Sequence, residues 1–148
     1  MLCNKIPRNV RKIKNLLLVD DDYVSNILTE HTLQDMNLAE QILVATNGQE
    51  ALAHLSKYCR NHSGDNCPNL VLLDINMPVM NGFEFLTAFK QQNWPQPPLI
   101  VMYTSSDNPR DLDKARQFGV AGYVSKPLTP EKLLPILDPW LGSNAVTE

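Results

Sequence analysis

Five short apolar runs, each followed by a segment of helical pattern, constrain this chain more than any other feature. The runs lie at residues 16–19, 41–46, 70–73, 99–103 and 122–124. The third, LVLL, shows no in-out alternation, which suits a strand buried on both faces. The segments between them have helical spacing. Residues 23–36 carry Val24, Ile27, Leu28 and His31 on one face, read here as the buried one. Residues 49–59 carry Ala51, Leu52 and Leu55, and residues 82–91 carry Phe83, Leu86 and Phe89. A fourth helix opens on Asn108-Pro109, a cap followed by a first-turn proline, and stops at Gly119. A fifth spans residues 129–141. Asn47-Gly48 reads as a turn, residues 60–68 as a loop, and NWPQPP (residues 93–98) as an extended connection. Strands alternating with helices imply a parallel sheet covered on both faces, the doubly wound α/β class. With 148 residues, one domain accommodates all of it.

In such sheets ligands bind beyond the carboxyl ends of the strands. The residues after the apolar runs are therefore the informative ones. The first run ends in Asp20-Asp21-Asp22, the third in Asp74, the fourth in Thr104-Ser105-Ser106 and the fifth in Ser125-Lys126-Pro127. Carboxylates brought together at one edge repel each other unless a cation or a proton intervenes. An oxygen-rich acidic pocket suits a hard divalent ion such as Mg²⁺. Lys126 adds a charge able to meet a phosphoryl oxygen, and Thr104 adds a donor. Asp74 is a plausible nucleophile for aspartyl-phosphate chemistry. Asp22 is placed to cap the first helix instead.

Four motifs in order carry a family resemblance: LLLVDDD (residues 16–22), LVLLDINMPVMNG (70–82), IVMYTSS (100–106) and GYVSKP (122–127). The second contains the pattern D-x-x-M-P-x-M-x-G at Asp74, Met77, Pro78, Met80 and Gly82. Thr104 follows Asp74 by 30 residues, and Lys126 follows Thr104 by 22. On these motifs the chain resembles a response-regulator receiver domain of two-component signalling, across nearly its whole length. The resemblance implies a flavodoxin-like (βα)5 fold with five parallel strands in the order 2-1-3-4-5. It implies that Asp74 accepts a phosphoryl group from a phosphohistidine. Asp21 would ligate Mg²⁺ directly and Asp20 mostly through water, with Asp74 and the backbone carbonyl of Asn76 completing the protein's share. Thr104 would be the switch hydroxyl, Tyr123 the aromatic that swings inward with it, and Lys126 the partner of the phosphoryl group, followed by a cis peptide to Pro127. Asn76 and Ser106 occupy the positions that tune dephosphorylation. The implied partners are a sensor histidine kinase or a histidine phosphotransfer protein, with an unknown protein downstream.

Charge and composition set the remaining expectations. A net charge of -3 argues against binding nucleic acid or a membrane surface through a basic face. No apolar run approaches the roughly 18 residues of a membrane span. The amino terminus lacks the apolar core of a secretory signal. Cys3, Cys59 and Cys67 have no C-x-x-C spacing and are expected to be reduced thiols of a cytoplasmic protein, without a zinc site. Residues 1–14 hold five Lys or Arg and no acid, and are expected to be a basic surface tail, or else a docking arm. The receiver is expected over residues 15–142, and residues 143–148 as a polar tail. His31, His54 and His62 have no spacing that marks a phosphoryl carrier; His31 is expected at the edge of the first helix's buried face. Trp94 and Trp140 are expected to pack. Pro135 and Pro139 each remove a hydrogen bond from the last helix, which is expected to kink or stop short.

The expected function is a stand-alone receiver: a signalling switch that catalyses only its own phosphorylation and dephosphorylation, signalling through protein contacts. Two other readings compete. A Mg²⁺-dependent phosphohydrolase would need a second acid two residues after the nucleophile, where this chain has Asn76. A binding module that has lost phosphorylation would tolerate loss of acceptor-site residues, yet all of them are present. A receiver cut from a longer hybrid kinase would read the same way.

Overall fold

A computed structural model describes residues 13–60 and 66–141. Ten elements alternate strictly: β1 (Ile13–Val19), α1 (Tyr23–Met36), β2 (Ala39–Ala45), α2 (Gly48–Tyr58), β3 (Leu70–Leu73), α3 (Gly82–Lys90), β4 (Leu99–Thr104), α4 (Pro109–Gln117), β5 (Gly122–Ser125) and α5 (Pro130–Leu141). All neighbouring strands pair in parallel, in the order β2-β1-β3-β4-β5. This is the flavodoxin-like arrangement that the sequence motifs imply. Because every strand runs the same way, all carboxyl ends meet at one edge.

The continuous apolar runs divide their side chains between two cores. Leu16 and Leu18 of β1, Leu70 and Leu72 of β3, and Val101 and Tyr103 of β4 pack with Leu33 and Met36 of α1 and Leu133, Leu137 and Leu141 of α5. Leu17, Val19, Val71, Leu73 and Met102 face the other way, against Ala51, Leu55, Phe85, Phe89 and Ala115 of α2, α3 and α4. The period-2 geometry of a strand makes both sets inward-facing.

Side-chain caps open four helices. Asp22 accepts from the backbone N–H groups of Val24 and Ser25, the role expected of it. Asn47 caps α2, Asn81 and Glu84 form a reciprocal capping box on α3, and Asn108 caps α4 ahead of Pro109. Asn47-Gly48 is therefore a helix start and not a free turn. An Asn side chain satisfies helical N–H groups as readily as it forms a turn, and the sequence does not choose between them.

Four expectations change. The stripe on α1 points outward: Val24 and Leu28 are each 64% exposed, and Ile27 and His31 are exposed as well. The buried face is Asn26, Thr29, Leu33 and Met36, whose helical spacing is equally good but whose first half is polar. Second, Cys59 and Cys67 are joined in a disulfide, not held as thiols. The end of α2 and the approach to β3 return to the same edge of the sheet, which brings their Cα atoms to 4.8 Å. Third, α5 runs on through both prolines to Leu141. Pro135 and Pro139 lie four residues apart on its exposed face, so the missing N–H groups fall on the water side. Fourth, β1 begins at Ile13, inside the segment read as a tail. Residues 1–12, Cys3, His62 and residues 143–148 lie outside the described residues. Trp94 packs as expected, stacked on Phe89 and donating to its carbonyl oxygen.

Candidate functional site

Four strand ends build one pocket. Asp20 follows β1 and its N–H bonds the carbonyl of Ala45 on β2; Asp74 follows β3 and its N–H bonds the carbonyl of Val19 on β1. Thr104 ends β4, and its carbonyl accepts from the N–H of Lys126, just after β5. The sheet's own ladder thus sets the spacing of the functional residues.

Oxygen atoms of Asp20, Asp21 and Asp74 lie within 4.8 Å of one another. Asp20 is 0% exposed and Asp74 is buried, while Asp21 faces solvent. Lys126 Nζ stands 2.6 Å from Asp20 Oδ2 and 3.3 Å from Asp74 Oδ2. Further hydrogen bonds hold the two buried carboxylates in place. Asp74 Oδ1 accepts from the N–H of Ile75, Asp20 Oδ1 from the N–H of Asp22, and Asp20 Oδ2 from the Ser25 hydroxyl. Burial pushes Asp74 above the ordinary carboxylate pKa, with Lys126 pulling against it. Burial works against the charge on Lys126, but the hydrogen bond to Asp20 and the charges of Asp74 and Asp20 outweigh it and leave its pKa raised.

The loop after Asp74 is held close. Gly82 donates its N–H to the carbonyl of Ile75, and a Cβ on Gly82 would stand 2.3 Å from the carbonyl oxygen of Asp74. The glycine that ends the D-x-x-M-P-x-M-x-G pattern is thus a packing requirement. Val79, between them, takes φ 68, an unusual conformation for a β-branched residue. Asn76 is exposed beside Asp74.

On the far side of β4, Ser106 bonds Asp111 through its hydroxyl, and its carbonyl accepts from the Tyr123 hydroxyl. Thr104 is fully buried, and its hydroxyl oxygen accepts from the N–H of Ser106. Lys126-Pro127 is cis, as the resemblance implies. Asp20, Asp21, Asp74, Thr104 and Lys126 are therefore brought together, with Tyr123 and Ser106 adjoining through β4 and β5.

Sequence reasoning missed what α1 contributes. Ser25 holds the Asp20 carboxylate, Asn26 Nδ2 donates to the Asp20 carbonyl, and Thr29 shares a hydrogen bond with Tyr103. The signal was present: Asn26, Thr29, Leu33 and Met36 form a continuous helical stripe. A search weighted by apolarity passes over its polar half.

No helix among the described residues is long and apolar enough to cross a membrane. In sequence, the chain is 32% identical over 130 residues to chemotaxis protein CheY1 of Helicobacter pylori, covering 87% of this chain and 98% of that protein. It is 29% identical over 133 residues to the probable transcriptional regulator ycf29 of Pyropia yezoensis, covering 90% of this chain and 55% of that one. Of several of its curated relatives the chain spans about half or less, from 55% down to 16%. In structure, it resembles a two-component response regulator from Cytophaga hutchinsonii, with TM-score 0.76, 33% identity, 93% of this chain and all of that one covered. The family model for the response regulator receiver domain matches residues 16–138. By sequence, by fold and by the placement of its strand-end residues, this chain belongs to the response regulator receiver family.

Proposed function

We propose that this chain accepts a phosphoryl group on Asp74 and converts it into a change of surface. The observation that carries the proposal is the pocket itself: three carboxylates with oxygens within 4.8 Å of one another, and one ammonium 3.3 Å from Asp74. A carboxylate oxygen of Asp74 attacks phosphorus, the bond from phosphorus to the donor's imidazole nitrogen breaks, and the imidazole leaves with the electron pair. The donor set is all oxygen and crowded with negative charge, which fits Mg²⁺. Asp20, Asp21, Asp74 and the backbone carbonyl of Asn76 would hold it. When bound, the ion neutralises charge on the transferring phosphoryl oxygens. Lys126 does the same from the protein side, and it already reaches Asp74.

After transfer, the new charge at Asp74 attracts the Thr104 hydroxyl, and Tyr123 moves from its bond with Ser106 into the space vacated. Asn76 and Ser106 tune how long the phosphoryl group stays. A histidine kinase or phosphotransfer protein is the fitting donor, since α1 presents Tyr23, Val24, Ile27 and Leu28 to solvent beside the pocket. A downstream protein reads the changed surface.

The experiment is intact-mass spectrometry after incubation with acetyl phosphate and Mg²⁺, beside Asp74→Asn. One added phosphoryl mass in the parent alone supports the proposal. Labelling of both proteins moves the acceptor elsewhere, and labelling of neither leaves a non-phosphorylated binding module or a receiver that accepts only from its kinase, which Mg²⁺ affinity separates.

A further inference from the structure

Tyr103 is a buried phenol in an aliphatic core. It is 2% exposed and sits among Leu18, Leu33, Leu128 and Leu133. A phenylalanine or leucine would fill such a place without needing a hydrogen-bond partner. Tyr103 has one, the equally buried Thr29 hydroxyl on α1. Its ring lies under Lys126, with the ammonium 5.1 Å from the ring centroid, inside the roughly 6 Å range of a cation–π contact.

Lys126 needs holding there. A groove of about 350 Å³ opens beside it, lined by Val24, Leu28, Thr29, Tyr103 and Pro127 among others. Packing on that side is not closed, so a four-carbon stem has room to swing. The ion-pair partner is held from the same helix, because Ser25 and Asn26 fix Asp20. Both ends of the Lys126–Asp20 contact are thus tied to α1, one through Asp20 and the other through Thr29 and Tyr103.

We propose that Tyr103 is a positioning residue for Lys126: its ring supports the ammonium, and its hydroxyl anchors that support to Thr29 of α1. The inference rests on the reading of Asp74 as phosphoacceptor, and its test has one arm that does not. In that arm, NMR of the full chain without any phosphoryl donor follows the Lys126 ε-methylene protons. The ring current of Tyr103 displaces them in the parent; Tyr103→Leu loses the displacement and Tyr103→Phe keeps most of it. Unchanged Lys126 signals in Tyr103→Leu overturn the proposal.

The second arm is the rate of phosphorylation by acetyl phosphate at saturating Mg²⁺. Tyr103→Leu slows it about tenfold, the scale of a partly desolvated cation–π contact. Tyr103→Phe and Thr29→Val slow it about threefold, the scale of one lost hydrogen bond. In a Lys126→Ala background, Tyr103→Leu causes no further slowing, because its effect passes through the lysine. Equal slowing in both backgrounds makes Tyr103 a structural residue only and overturns the proposal. If Tyr103→Leu does not fold, Tyr103→Phe and Thr29→Val carry the same comparison. A parent that takes no phosphoryl group and binds no Mg²⁺ defeats the Asp74 reading, and the NMR arm still decides the role of Tyr103.

Discussion

Replacing Lys126 with methionine keeps the stem and removes the charge. Two carboxylates, Asp20 wholly buried and Asp74 nearly so, then lose their cation at 2.6 and 3.3 Å. Breaking a buried ion pair by deleting one partner costs about 3–5 kcal/mol. With a urea slope of about 2 kcal/mol per molar, the unfolding midpoint falls by about 1.5–2.5 M near neutrality in EDTA. The sign of the pH dependence follows from Asp74. Its folded pKa is already raised by burial, so its contribution to stability is present below the ordinary carboxylate value and lost as pH rises through the raised one. Lys126→Met removes the charge that opposes this, so the loss is large at neutrality and shrinks toward acid pH, where Asp74 takes up a proton. Mg²⁺ restores part of the loss near neutrality. The assay is urea unfolding of parent and variant at neutral and acid pH, with and without Mg²⁺. A neutral-pH loss below about 1 kcal/mol would put the pair in the class of exposed ion pairs and refute the reasoning.

Other expectations test the neighbouring architecture. Gly82→Ala places a Cβ 2.3 Å from a backbone oxygen, so it loses about 3 kcal/mol or more and melts roughly 6–12 °C lower by calorimetry. Leu28→Ser on the exposed face of α1 stays within about 0.5 kcal/mol of the parent, whereas Leu33→Ala on the buried face loses about 2–5 kcal/mol; urea midpoints distinguish them. The Cys59–Cys67 disulfide closes a loop of sequence separation 8, so its removal by a double Cys→Ala change destabilises by about 2.5 kcal/mol in the chain-entropy account. Mg²⁺ titration of that double variant gives the parent's affinity, because the disulfide lies at the opposite edge of the sheet from Asp74.

Most of the fold was legible because each signal is local. The runs at residues 70–73 and 99–103 read as strands, and LVLL is buried on both faces as its lack of alternation implies. Asp22 and Asn108 read as caps and act as caps. The pocket was legible for a related reason: parallel strands fix where their carboxyl ends go, so Asp20, Asp74, Thr104 and Lys126 had to converge once the sheet was recognised. Asn47 was harder, since an Asn side chain serves a turn and a helix cap equally well.

Local pattern determined which segments are strands and helices, which chemical groups stand at the strand ends, and hence the family. Tertiary structure alone decided which face of α1 is inside. Two stripes of equal helical spacing competed, and the polar one won because the Asn26 Nδ2 donor and the Thr29 hydroxyl find partners in the Asp20 carbonyl and Tyr103, which satisfies those two polar groups where burial would otherwise strand them. It also decided the pairing of Cys59 with Cys67 and the seating of Lys126 over Tyr103. Each of these joins separate elements of the fold, and no window of sequence records the distance between them.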